Sequence, residues 1–388
     1  MPFPNRYRSV SITVGDPAGP YRRPEDIDEA REATATALAR LLDAADSRLP
    51  AHWPAFQAVL PHARALLDHT DLDTGPLCQL ATSLSLYALG QGDPTTAVVF
   101  AARASAGCER LYGIDDPNTL HARSNAASAY QAAGDQTRAI ALFEATLEDC
   151  ERRLGPDHAH TLSYRNNLAA ACHAAGDPRR AISLHEEALE GRERLLGKEH
   201  PDTLLSRNNL AMSYEAAGDA ERAIPLHEAT LADRERVLGP DHPDTLTSRC
   251  NLAGACETAG DLARAVELHE RTLADRDRVL DPDHPDTLKA GNNLAGAYES
   301  SGEPARAIEL YESTLAARER LFGHDHQDTL NSRNDLAYAR GVAGDLPLAI
   351  RLYEEARADA ERALGPDHRM TRTIRENLEI AIRQRDRS

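Results

Sequence analysis

Apolar residues return along this chain at helical spacing. Between residues 201 and 216, Leu204, Arg207, Leu210, Ala211 and Tyr214 fall within about 120° of arc at 100° per residue, the stripe expected of a buried helix. A second apolar-periodic segment opens at Ala223, Ile224 and Leu226 and runs to about Leu238. Gly218 and Asp219 separate the two: glycine can end a helix in the left-handed conformation, and aspartate can cap the next one. The pattern predicts an antiparallel helical hairpin.

The hairpin repeats. The loop closing each unit ends at Leu162, Leu204, Leu246, Leu288 and Leu330, every step 42 residues, with the register reaching back to Leu120 and forward to Thr371. Gly-Asp or Gly-Glu recurs in the same step at Gly92, Gly134, Gly176, Gly218, Gly260, Gly302 and Gly344. The expected organisation is a flexible tail over 1–24, an irregular helical hairpin over 25–76 split by the SRLPAHWP turn, seven hairpins over 77–369, and a capping helix over 370–388. Each repeat needs neighbours to bury its apolar face, so the fold class is an all-α solenoid of stacked hairpins.

Composition narrows the partners. Aromatics are 4% of residues while Ala and Leu abound, which favours small-residue helix packing over a sheet core. A formal charge of −18 repels phosphate backbones and anionic lipid, setting nucleic acid and membrane aside. With no apolar run of ~18–20 residues and no apolar signal core, the expected location is cytoplasmic. The six cysteines have no CxxC spacing and sit inside expected helices, so they read as reduced packing residues.

The pattern Leu-Ala-x-x-Tyr at Leu210, Ala211 and Tyr214, followed by Ala223, resembles the tetratricopeptide signature. The 42-residue period, the NNLA run and the LGPDHPDT loop look more specifically like kinesin light chain repeats. The resemblance implies a right-handed superhelix whose first helices line a concave groove. Similar arrays occur as sensor or scaffold parts of bacterial signalling proteins, including those attached to nucleotide-switch ATPases. Local departures are Asp281 for the loop glycine, Gly291 for the arginine before NN, Asp335 for an asparagine, and Ala126 for the leucine of NNLA.

Opposite the buried stripe runs an asparagine ladder: Asn125, Asn167, Asn209, Asn251, Asn293 and Asn377, completed by Asp335. Asn166, Asn208, Asn292 and Asn334 lie one residue earlier. Small residues such as Ala170, Gly254 and Gly296 accompany them, leaving room for a ligand backbone that two-way amide groups would meet. Two roles stand open for these amides: contact with a peptide or partner helix, or clamping of adjacent helices. A second ladder of Arg123, Arg165, Arg207, Arg249, Arg333 and Arg375 sits near the centre of the buried stripe. A buried guanidinium needs acceptors; internal ion pairs with carboxylates between helices are expected, with contact to an acidic ligand as the alternative.

Histidines recur in the loops at His158, His200, His242, His284, His326 and His368, and in second helices at His185, His227 and His269. Equivalent residues on packed helices lie ~8–10 Å apart, too far to share an ion held at ~2 Å. No metal or cofactor is expected, and the loop histidines are assigned to helix entry. No nucleophile motif appears, and Cys250, in place of the first asparagine of NN, reads as an incidental lone thiol. The expected function is a noncatalytic module that binds a peptide or helix of a protein partner. The alternative is the sensor or regulatory arm of a bacterial signalling assembly, with the hairpin around Trp53 and LPHARALL as its docking element. An enzyme using a groove His or Cys is the remote third.

Overall fold

A computed structural model describes residues 24–43, 52–70 and 73–387. The expected tail before residue 24 and most of the SRLPAHWP turn lie outside them. Among the described residues there are 17 helices and no strand. The chain divides into two compact units: the first runs up to Gln91 and resumes over Thr95–Ala122, and the second comprises Gly92–Pro94 and everything from Arg123 onward.

The first unit is built on α1 (Pro24–Asp43), α2 (Trp53–Asp68), α3 (Gly75–Gly90) and α4 (Pro94–Tyr112). Its core interleaves Leu38 and Leu42 of α1, Phe56 and Val59 of α2, Leu80, Leu84 and Tyr87 of α3, and Phe100 of α4. The rings of Phe56 and Tyr87 stack with centroids 4.7 Å apart. Trp53 and Leu60 pack against this same core, and Ala63 and Leu67 are part of it. The apolar residues that suggested a docking element therefore serve their own unit.

In the second unit first and second helices alternate. They are α5 (Pro117–Ala132, of which the residues from Arg123 onward belong to this unit) and α6 (Gln136–Leu154), α7 (Ala159–Ala174) and α8 (Pro178–Leu196), and α9 (Pro201–Ala216) and α10 (Ala220–Val237). Then come α11 (Pro243–Thr258) and α12 (Leu262–Leu280), α13 (Pro285–Ser300) and α14 (Pro304–Phe322), α15 (Gln327–Val342) and α16 (Leu346–Ala363), and finally α17 (Arg369–Arg385). Apolar clusters pass from repeat to repeat. Leu210 and Tyr214 of α9 meet Ala223 of α10 and are bordered by Ile182 and Leu189 of α8. One period later Leu252, Cys256 and Ala265 are bordered by Ile224 and Leu231. Each hairpin thus completes its core with the preceding second helix, the one-dimensional stacking that makes repeats interdependent.

Polar punctuation sets the helix ends. Asp135, Asp177, Asp219 and Asp261 cap second helices, their carboxylates accepting from the backbone N–H three residues on. The loop histidines cap first helices: Nδ1 of His200, His242, His284 and His326 accepts a backbone N–H two residues on at 3.2 Å. Helix entry is indeed where these rings belong. The loop glycines adopt φ between 83° and 92°, and Asp281 is held at φ 102°, a conformation that favours glycine.

Candidate functional site

The two asparagine rows meet across repeats. Asn209 Nδ2 donates to Asn166 Oδ1 at 3.2 Å, Asn251 to Asn208 at 3.0 Å, and Asn377 to Asn334 at 2.9 Å. Where the earlier row changes residue the contact survives: Asn167 donates to Ser124 Oγ at 3.4 Å and Asn293 to Cys250 Sγ at 3.1 Å. At Asp335, which only accepts when ionised, the direction reverses and Asn292 donates at 3.0 Å. Asn334 also donates to Asp335, at 3.3 Å. Asn125 has no counterpart bond, and its buried Nδ2 lacks a partner. The clamping role is therefore built into the ladder, each bond between repeats joining residues 43 positions apart.

The arginine ladder carries internal ion pairs. Arg249, fully buried, reaches Asp275 of its own second helix at 2.6 Å and Glu235 of the preceding one at 3.1 Å. Arg333 repeats this with Asp359 and Glu319, both at 2.6 Å. Arg123 pairs with Asp149 at 2.6 Å, Arg207 with Asp233 at 2.7 Å, and Arg375 with Glu361 at 3.2 Å. Burial pushes the Asp275 carboxyl up, but hydrogen bonds from Arg278 and Arg249 outweigh it and hold the group below its ordinary range. Two departures are explained together. Gly191 stands where α10 has Asp233, and a Cβ there would lie 2.4 Å from Leu162; Arg165 keeps its preceding-helix partner Glu151 at 2.5 Å and meets Glu187 of its own second helix at 3.4 Å. Where Gly291 replaces the arginine, Ala317 replaces the aspartate as well, and both ends of the pair are gone.

An open depression of about 530 Å³ lies over the first helices of the middle repeats. Gly254 and Gly296 floor it, Met212 stands at one end, and Asn251, Asn292 and Asn293 reach it with His269 and Tyr311 of second helices. A contiguous hollow of about 260 Å³ continues past Asp335, Asn334 and Asn377 to the exposed Tyr338. Carboxylates mark this face: Glu215, Glu257 and Glu299, 42 residues apart, together with Asp335. Desolvation raises the Glu299 carboxyl, and the Asp335 charge raises it further against a hydrogen bond from Tyr311. The acidic row was missed in the sequence, where it is one 42-residue spacing among 62 acidic residues.

Models of the tetratricopeptide repeat match residues 77–148, 137–194, 180–232, 202–277, 260–320, 286–341 and 329–369, which together run unbroken from 77 to 369. The chain belongs to the tetratricopeptide repeat family. Among solved structures, the kinesin light chain-like, nearly identical TPR-like repeats of a Podosopora anserina protein are 31% identical, covering 52% of this chain and 95% of that one at a TM-score of 0.46. BtubC (BKLC) from P. vanneervenii is 24% identical over 59% of this chain and 92% of its own, with a TM-score of 0.49. A Rap protein complexed with Competence and Sporulation Factor is 11% identical over 93% of this chain and 99% of its own at a TM-score of 0.53, a likeness of fold alone. No curated protein matches.

One repeat of this tetratricopeptide array departs from its neighbours in a way that the period conceals. Cys250 is not a lone thiol: its Sγ lies 3.8 Å from His269 Nδ1, and His269 Nε2 lies 2.9 Å from Glu257 Oε1. In the previous repeat Asn208 takes the place of the thiol, and neither nitrogen of the fully buried His227 has a hydrogen bond. In the next, Tyr311 takes the place of the histidine. The missed signal was the coincidence of Cys250, Glu257 and His269 in a single repeat.

Proposed function

We propose that the protein is an interaction module whose second unit captures a basic segment, an extended peptide or a helix, of a protein partner along the first-helix face of α9, α11, α13 and α15. Membership of a family of interaction scaffolds supports the general role. The depression floored by Gly254 and Gly296 and bordered by Glu215, Glu257, Glu299 and Asp335 carries the finer reading. Glycine on a helix leaves backbone-level space, the amides offer donors and acceptors to a peptide main chain, and the carboxylates select cationic side chains. The clamp bonds hold these groups at a fixed repeat spacing, so binding does not have to order them. The test is selection of random peptides displayed on phage against the full chain. Enriched sequences should carry Lys or Arg and lose binding in high salt. Enrichment of acidic or uncharged sequences with salt-independent binding would overturn the reading.

A further inference from the structure

We propose that Cys250 is a nucleophilic thiolate paired with the His269 imidazolium, a modification site at which hydroperoxides form a sulfenic acid inside the depression. The inference does not depend on which partner the groove binds. Its base is a connected set of side chains. Glu257, on the same helix as the cysteine, accepts from His269 Nε2 at 2.9 Å and so orients the ring. The other nitrogen faces Cys250 Sγ at 3.8 Å, and Asn293 Nδ2 of the next repeat donates to the same sulfur at 3.1 Å. A ring between a carboxylate and a sulfur is best matched when both its nitrogens carry protons and the sulfur carries the charge.

Electrostatics agree with the geometry. Burial opposes charge on both partners, yet their mutual hydrogen bond, Glu257 and Asn293 outweigh it: the Cys250 thiol is held below its ordinary value and His269 is raised to about 9. The other charged groups facing the pair are Arg276 of α12, which favours the thiolate, and Glu215 and Asp335 at the rim of the depression. Cys250 and His269 both line that depression, which admits a small reagent, while the other five cysteines are buried.

Peroxide chemistry needs little beyond what is present. The Cys250 thiolate attacks the terminal oxygen of ROOH, the S–O bond forms as the O–O bond breaks, and the departing alkoxide takes the His269 Nδ1 proton and leaves as ROH. Sulfur is oxidised by two electrons, the peroxide is reduced to the alcohol, and the transferred oxygen keeps its hydrogen as Cys–SOH. Acyl transfer would also need a free donor for an oxyanion, and Asn293, the amide beside the sulfur, is already given to it.

The experiment is alkylation of the full-length protein with iodoacetamide from pH 5 to 9, read at the Cys250 peptide by mass spectrometry. The midpoint should lie well below that of an ordinary thiol, with a rate at pH 6.5 about tenfold above that of the same cysteine in the urea-unfolded chain. His269→Gln should move the midpoint up. Cys250→Asn, which copies Asn208, should keep the helical circular dichroism and abolish the label. Hydrogen peroxide followed by dimedone should tag Cys250 in the wild type and far less in His269→Gln. An ordinary or raised midpoint in the folded wild type overturns the proposal whatever the variants do, as does equal dimedone tagging in wild type and His269→Gln.

Discussion

Gly254 and Gly296 sit inside helices α11 and α13 with helical backbone, since neither has a positive φ. Glycine in a helix interior costs about 0.8–1.0 kcal/mol relative to alanine. Nothing steric requires it here: a Cβ at 254 would meet Glu215 Oε1 at 3.9 Å, and one at 296 would meet the Tyr311 hydroxyl at 3.5 Å, both ordinary contacts. Other repeats carry Ala170, Met212 and Tyr338 at this position. The double substitution Gly254→Ala, Gly296→Ala should therefore stabilise the array by about 2 kcal/mol, the two gains being nearly additive on separate helices. Urea unfolding followed at 222 nm reads the shift. Amide exchange in α11 and α13 tells whether it is local, as a repeat array need not unfold in one step. Gly254→Met, which copies Met212, should keep the stability and fill the floor, so that peptide selected on the wild type no longer binds. A lower urea midpoint in the alanine pair would refute the idea that these glycines keep space for a ligand, and would assign them to backbone packing instead.

Arg249→Met should cost about 3 kcal/mol in the same assay, because it leaves Glu235 only the looser pair with Arg271 at 3.7 Å and Asp275 only Arg278, around a fully buried position. Arg375→Ala, whose ion pair is about two-fifths exposed, should cost less than about 1 kcal/mol. Equal losses would show that burial does not set the value of these pairs. Asp281→Gly should stabilise by about 1 kcal/mol by relieving its φ of 102°, less whatever is lost with the Asp283 N–H bond to its side chain. Burial lowers His185 to about 4, so the unfolded chain takes up the proton first as pH falls. Its contribution of up to roughly 3 kcal/mol is intact above pH 6.5 and lost between 6.5 and 4. His185→Phe, which copies Phe143, should flatten that part of a stability-against-pH curve.

The period made the fold legible, because a 42-residue recurrence of glycine, aspartate and an apolar stripe leaves little but stacked hairpins. What stayed hidden were contacts between columns of the repeat. Arg249 could be placed in the buried stripe from spacing alone, but its acceptors lie 26 residues ahead and 14 behind, on two different helices. Those columns are also not constant: the forward one holds Asp275 but Gly191 and Ala317 elsewhere. The asparagine rows were visible as rows, yet their pairing needs the lateral offset of successive first helices, which turns a 42-residue step into a 43-residue bond. Cys250 and His269 each looked like ordinary members of a column, and only their distance across α11 and α12 joins them.

Whether an acidic groove holds a cationic segment is read from the affinity of one phage-selected basic peptide for the wild type and for Glu215→Gln, Glu299→Gln, Asp335→Asn combined, by fluorescence anisotropy. Asp335→Asn restores the residue that the other repeats carry, so the clamp with Asn292 keeps an acceptor. Three partly exposed charge contacts at about 0.5–1 kcal/mol each predict a Kd about 10- to 100-fold weaker, with a shallower salt dependence and an unchanged helical spectrum. In the wild type, affinity should also fall as acid protonates Glu299, whose raised carboxyl takes up a proton earlier than an ordinary one. A variant that binds the peptide as tightly as the wild type, with the same salt slope, would show that these carboxylates do not hold the segment.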